Sequence, residues 1–125
     1  MPTAEKFYQK PGEREAIFKD LAYDSALFNG AQNWTIEKEV GKRAYIISKT
    51  PTIMAGTSPQ YAVRIYSYWK GILLQSLQTI NFLSPSSGLL GGSIEVPTLA
   101  DTIKISISKT GTHTGGSLSV FMKEF

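Results

Sequence analysis

The sequence predicts an all-β fold: an antiparallel sandwich of two sheets, with about seven or eight short strands and at most one short helix. Three observations predict it. Apolar and polar residues alternate with period 2 in several short runs. Turn formers separate those runs at regular intervals. No stretch is long enough to supply the crossover helices that a parallel α/β sheet needs.

The clearest run is residues 102–122. Ile103, Ile105 and Ile107 alternate with Thr102, Lys104, Ser106 and Ser108. Leu118, Val120 and Met122 alternate with Ser117, Ser119 and Lys123. Between them lies Lys109 to Gly116, a run of turn formers without a large apolar residue. Two alternating runs joined by a Gly-rich connection predict a β-hairpin with a longer loop. Its aliphatic face requires a partner sheet.

The remaining elements follow in chain order. Residues 1–15 are polar, contain Pro2, Pro11 and Gly12, and predict an N-terminal arm ahead of a single sandwich domain over 16–125. The arm reads as loosely attached; the alternative is that Phe7 and Tyr8, its large apolar residues, dock it on a neighbouring subunit. Residues 16–28 fit a strand or extended segment, with a short amphipathic helix as the alternative. Residues 34–40 (WTIEKEV) predict a strand with Trp34, Ile36 and Val40 inside and an acidic outer face. Residues 44–48 (AYIIS) make another strand, and residues 49–60 read as a loop punctuated by Pro51, Gly56 and Pro59.

Residues 61–70 (YAVRIYSYWK) form a second strong strand. Tyr61, Val63, Ile65, Ser67 and Trp69 share one face; Ala62, Arg64, Tyr66, Tyr68 and Lys70 share the other. Gly71 permits a bend. Residues 72–83 fit one or two strands, 93–96 a short strand, and Pro97 a turn or edge.

With 125 residues the chain is one domain, large enough for a core without covalent staples. It has no cysteine, which excludes disulfides, thiol nucleophiles and Cys-based metal sites. The formal net charge is +3, from charges scattered along the chain. That pattern provides no tail for specific nucleic-acid binding. Residues 1–15 lack the apolar core of a signal peptide, and no apolar run is long enough to span a bilayer. The expectation is a soluble protein without membrane attachment.

Residues 95–122, EVPTLADTIKISISKTGTHTGGSLSVFM, resemble the closing strands of small jelly-roll modules in phage and viral structural proteins and in carbohydrate-binding domains. The likeness covers roughly a quarter of the chain and carries over no functional residue. It implies a jelly-roll-like sandwich.

Residues that do chemistry are sparse. His113 is the one histidine, set among Thr, Gly and Lys, and reads as a solvated loop residue. Without Cys or a second His it makes no usual metal site, and no GxSxG elbow is present to recruit it. Glu37 and Glu39 lie about 7 Å apart on a strand face, a spacing that glycosidases use, but alternating acids on a strand form its wet face. Asp20, Asp24 and Asp101 lack the spacing of a calcium loop. The glycine runs at 88–92 and 111–116 are not followed by the Lys-Ser or Lys-Thr of a phosphate loop and read as turn glycines. The triplet Asn33-Trp34-Thr35 is a formal glycosylation signal that acts only in a secreted chain. No cofactor is expected, and no enzyme.

One feature is unusual. Arg64, Tyr66, Tyr68 and Lys70 place two tyrosines between two cations on one strand face. Such a set suits a protein interface, a sugar platform, or base stacking; the same residues would also serve as plain core if covered. The expected function is a structural or assembly module, such as a phage virion or appendage protein that forms homo-oligomers or joins other structural proteins. The alternative is a carbohydrate-binding module that takes a glycan on the Tyr/Arg face.

Overall fold

The structure is a computed structural model. It describes residues 5–10, 13–28, 33–75, 78–83 and 89–125, with side chains described from Asp20 onward. The strands are β1 (Glu5–Lys10), β2 (Glu13–Ala22), β3 (Asn33–Glu37), β4 (Ala44–Lys49), β5 (Ala55–Trp69), β6 (Ile72–Leu73), β7 (Gln78–Leu83), β8 (Gly91–Val96), β9 (Thr102–Gly115) and β10 (Ser117–Glu124). Among the described residues one 3₁₀ turn spans Ala26–Phe28.

The strands form two antiparallel sheets. The first runs β1-β2-β10-β4-β8; the second runs β3-β9-β5, with β6 and β7 both along the far side of β5. The pairs β2·β10, β3·β9, β4·β8 and β5·β7 are all antiparallel. They are the rungs of one long hairpin, rolled so that successive rungs fall in opposite sheets. This is jelly-roll topology, and the all-β sandwich expected from the sequence is the fold. The N-terminal segment adds β1 beside β2. Tyr8 pairs with Glu15, the register shifts between Lys6 and Tyr8 at Phe7, and the side chains of Phe7 and Tyr8 lie outside the described residues.

The core lies between the sheets. From β9 come Ile103, Ile105 and Ile107; from β10 come Leu118, Val120 and Met122. Tyr61, Val63, Ile65, Phe82, Ile46, Val96, Trp34 and Ile36 complete it. Each buried aliphatic side chain contributes about 1.5–3 kcal/mol by leaving water.

The expected hairpin at 102–122 does not form. β9 and β10 belong to different sheets, so their aliphatic faces meet across the core rather than side by side. The chain crosses between the sheets at Gly116, where φ is 116°. The glycines before it are not turn residues. They let β9 continue beside the start of β5, where Gly56 pairs with His113 and Thr57 with Thr112. A Cβ at Gly56 would lie 1.8 Å from the Thr112 carbonyl oxygen, and one at Gly111 would lie 2.1 Å from that of Ser58. Much of the loop expected at 49–60 is accordingly strand, bulged between Thr57 and Gln60 around Pro59.

A second departure follows Ile36. The strand stops at Glu37, Val40 is 48 % exposed, and Lys38 turns inward instead. Its ammonium donates to the carbonyl oxygens of Glu39 (2.9 Å), Thr98 (2.9 Å) and Ala100 (3.2 Å), so three acceptors, the Ala100 one buried, share one cation. Burial lowers the lysine pKa, against the raising influence of the Glu124 and Glu39 carboxylates. This staple fixes the β3–β4 connection to the β8–β9 connection. Nearby, β5 and β6 join by a two-residue turn with Lys70 (φ 47°) and Gly71 (φ 80°) both left-handed, the geometry that suits strand twist.

Candidate functional site

The sandwich presents two outer faces, and each carries a distinctive surface. On the second sheet, alternation along β5 leaves Ala62, Arg64, Tyr66 and Tyr68 half-buried on the outside. Strand register builds cross-strand rows from them. Thr79, Arg64, Ser106 and Asn33 share one row. Tyr66, Lys104 and Thr35 form the next, and Leu73, Tyr68, Thr102 and Glu37 the third. Successive rows are about 7 Å apart. The Arg64 guanidinium donates to the Ser108 hydroxyl at 3.1 Å. The Lys104 ammonium rides 5.0 Å from the Tyr68 ring centroid.

Three of the residues singled out from the sequence thus share this face. Lys70 does not join them. It sits in the turn after β5, its ammonium 4.9 Å from the centroid of the Trp69 ring. Its amide donates to the Asp101 carboxylate at 2.9 Å. That hydrogen bond, followed by one from the Thr102 hydroxyl, holds the Asp101 pKa below the ordinary aspartate value. Lys104, on the neighbouring strand, supplies the second cation beside the tyrosines.

The first sheet has a face that the sequence reading passed over. Its central strands β10 and β4 are apolar on both sides. Ile46 and Met122 point into the core, while Ile47 and Phe121 are half-buried on the outside. Ile47 and Phe121 are direct cross-strand partners, with Ser93 beyond Ile47 and the Ile17 position beyond Phe121. Tyr45 lies next to them, its ring edge-on to Phe125 at 5.9 Å. Its hydroxyl accepts a 2.6 Å bond from Arg43, which also reaches Glu95 at 3.5 Å. Lys49 lies 5.9 Å from the Phe121 ring centroid. The signal was present in AYIIS and SVFMK: strands with apolar residues at both parities, in an antiparallel sheet, have two faces to cover.

The remaining candidates stay apart. His113 is half-buried, not a solvated loop residue. Its ring lies 4.9 Å from that of Tyr61, and its Nε2 contacts the Thr110 carbonyl oxygen at 2.8 Å. It was misread because its segment looked like a hairpin tip, whereas that segment is strand. Tyr61 stacks on Phe28 at 5.3 Å, and burial raises its phenol pKa. Asp20 accepts from the Ser119 hydroxyl, while Asp101 holds the β5–β6 turn. Among the described residues no group of three or more His, Asp or Glu could hold a metal ion. No helix among them is long and apolar enough to cross a membrane.

No family model and no curated protein matches the sequence. Solved structures do match the fold. Tripeptidyl peptidase 2 superposes over 98 % of this chain with a TM-score of 0.59 and 11 % identity; the chain spans 10 % of that protein's length. TmCBM61, solved in complex with β-1,4-galactotriose, matches 96 % of this chain and 86 % of its own, with a TM-score of 0.48 and 8 % identity. The structure of infectious bursal disease virus, Gx strain, matches 99 % of this chain and 31 % of its own, with a TM-score of 0.47 and 10 % identity. At these identities the likeness is one of fold.

Proposed function

We propose that the protein is a non-enzymatic assembly module that associates with copies of itself through the outer face of the β1-β2-β10-β4-β8 sheet. The observation that carries this reading is the two-sided apolar character of β4 and β10. Ile47 against Phe121, bordered by Tyr45 and Phe125, is an apolar centre on a face whose described surroundings include Ser93, Ser119, Lys49, Lys123, Asp20 and Glu95. A contiguous apolar patch with a polar rim is the usual form of an interaction site.

A second copy is the occupant favoured by the charges around that centre. Lys49 shares a row with Asp20, and Glu95 shares a row with the Lys123 position. Both signs therefore border the apolar centre, as a self-complementary interface requires. The proposed setting is a phage virion or appendage, since jelly rolls recur in capsid proteins. Mass measurement on the parent and on Ile47→Lys tests the reading: a multimer that the substitution reduces to monomer supports it, and a multimer that survives unchanged contradicts this face as the interface.

A second reading, carbohydrate binding, is favoured by the opposite side of the sandwich. There Tyr66 and Tyr68 are half-exposed among the hydroxyls of Thr79, Ser106, Thr102 and Thr35. If Tyr66→Ala and Tyr68→Ala variants are retained on carbohydrate matrices like the parent, this face is not the site.

A further inference from the structure

We infer that the outer face of β3, β9 and β5 binds an acidic polysaccharide, one carrying carboxylate or sulfate groups, along Arg64, Tyr66, Lys104 and Tyr68. This deepens the carbohydrate reading of that face and is independent of self-association through the other sheet.

Three features give the ligand its class. The first is where the cations stand. The guanidinium of Arg64 is held by the neutral Ser108 hydroxyl, and the ammonium of Lys104 lies over the Tyr68 ring. Both charges are positioned by neutral contacts, and Lys104 is exposed. An anion arriving at this face meets two oriented donors, neither of them bridged to an acid among the described residues.

The second is what occupies the Tyr68 ring. A neutral sugar binds such a ring by laying its C–H face on the aromatic plane. Here an ammonium already lies 5.0 Å from the ring centroid. The arrangement presents a cation backed by a π-face, which suits a carboxylate or sulfate better than a bare pyranose face.

The third is the hydroxyl lining. Thr79 and Ser106 flank Arg64, Thr35 lies beyond Lys104, and Thr102 stands beside Tyr68. These groups donate and accept, as sugar hydroxyls require. Nucleic acid fits less well. Its backbone is a continuous run of phosphates, whereas this face sets two cations beside Glu37. Acidic polysaccharides place their charges at whole-sugar intervals, with hydroxyls between.

The two faces lie on opposite sides of the sandwich. A multimer joined through the first sheet therefore displays several copies of the second, and a repeating polymer would bind it with added avidity.

The test uses the full chain and titration calorimetry. The probes are polygalacturonate (carboxylate), heparin (sulfate), neutral β-1,4-galactan, polystyrene sulfonate as a sugar-free polyanion, and a single-stranded oligonucleotide. Binding to polygalacturonate or heparin is expected, weakening with salt. It should fall at least tenfold in Lys104→Gln and in Tyr66→Ala, with circular dichroism unchanged. Lys104 is exposed, so its variant folds even if Tyr66→Ala does not. Tyr66-dependent binding of galactan alone would overturn the acidic class while leaving the carbohydrate reading intact. Binding of none of the three polysaccharides would overturn both. Equal binding of polystyrene sulfonate or the oligonucleotide would reduce the face to a charge effect and overturn the inference.

Discussion

Ile47 and Phe121 stand directly opposite each other on β4 and β10, on the side of the sheet that faces away from the core. Cross-strand pairs of this kind contribute about 0.2–1 kcal/mol within a sheet. That is less than the two side chains would gain by full burial against a partner. Phe121→Lys should therefore leave monomer stability within about 1 kcal/mol of the parent while dissociating multimers. Chemical denaturation paired with sizing checks both halves. A large loss of stability would mean that Phe121 belongs to the core.

Lys38 should be costly to remove. Lys38→Met keeps the aliphatic stem but withdraws the ammonium from the carbonyl oxygens of Glu39, Thr98 and Ala100; the Gly41 amide still donates to Thr98 (2.8 Å) and the Lys42 amide to Glu39 (3.4 Å), so the Ala100 oxygen bears the loss. Unsatisfied buried acceptors cost about 1–3 kcal/mol each where water cannot reach them. A loss of about 1–3 kcal/mol in urea unfolding is expected. A neutral result would show that solvent takes over these carbonyls.

Two glycines with similar backbone angles should behave differently. Gly71 (φ 80°) has nothing within 4 Å of an added Cβ, whereas at Gly111 (φ 78°) the added atom would meet the Ser58 oxygen at 2.1 Å. Gly71→Ala should cost about 1 kcal/mol from the left-handed conformation alone. Gly111→Ala adds a backbone clash and should cost roughly 3 kcal/mol. Equal losses would contradict the close approach of β9 to β5.

Asp101 links the β5–β6 turn to the start of β9, and its charged form is the one stabilised. Its folded pKa is depressed, so its contribution is present above the ordinary aspartate value and is lost as pH falls through the lower folded value. The Lys70 amide, which donates to this carboxylate, should shift on acidification with a midpoint below about 3.9. Nuclear magnetic resonance titration reads it directly. A midpoint at or above that value would remove the hydrogen bond from the account.

Alternation along 102–122 correctly marks Ile103, Ile105, Ile107, Leu118, Val120 and Met122 as core. It gives the face of each strand but not the neighbour, and so cannot separate a hairpin from two strands in opposite sheets. Glycines at 111–116 look alike in sequence whether they turn the chain or allow two backbones to approach; the close approach of Gly111 to Ser58 distinguishes them. Arg64, Tyr66 and Tyr68 were legible as one face because they alternate on a single strand. Lys104 was not, because it reaches that face only through register with β5. Ile47 and Phe121 were legible as surplus apolar residues, but their pairing needs the order of the first sheet.

The central claim is self-association, and mass in solution tests it most directly. Light scattering behind a sizing column, over a wide range of protein concentration, should give a mass of at least two chains that Phe121→Lys lowers to one. A parent protein with the mass of one chain at every concentration would contradict the account.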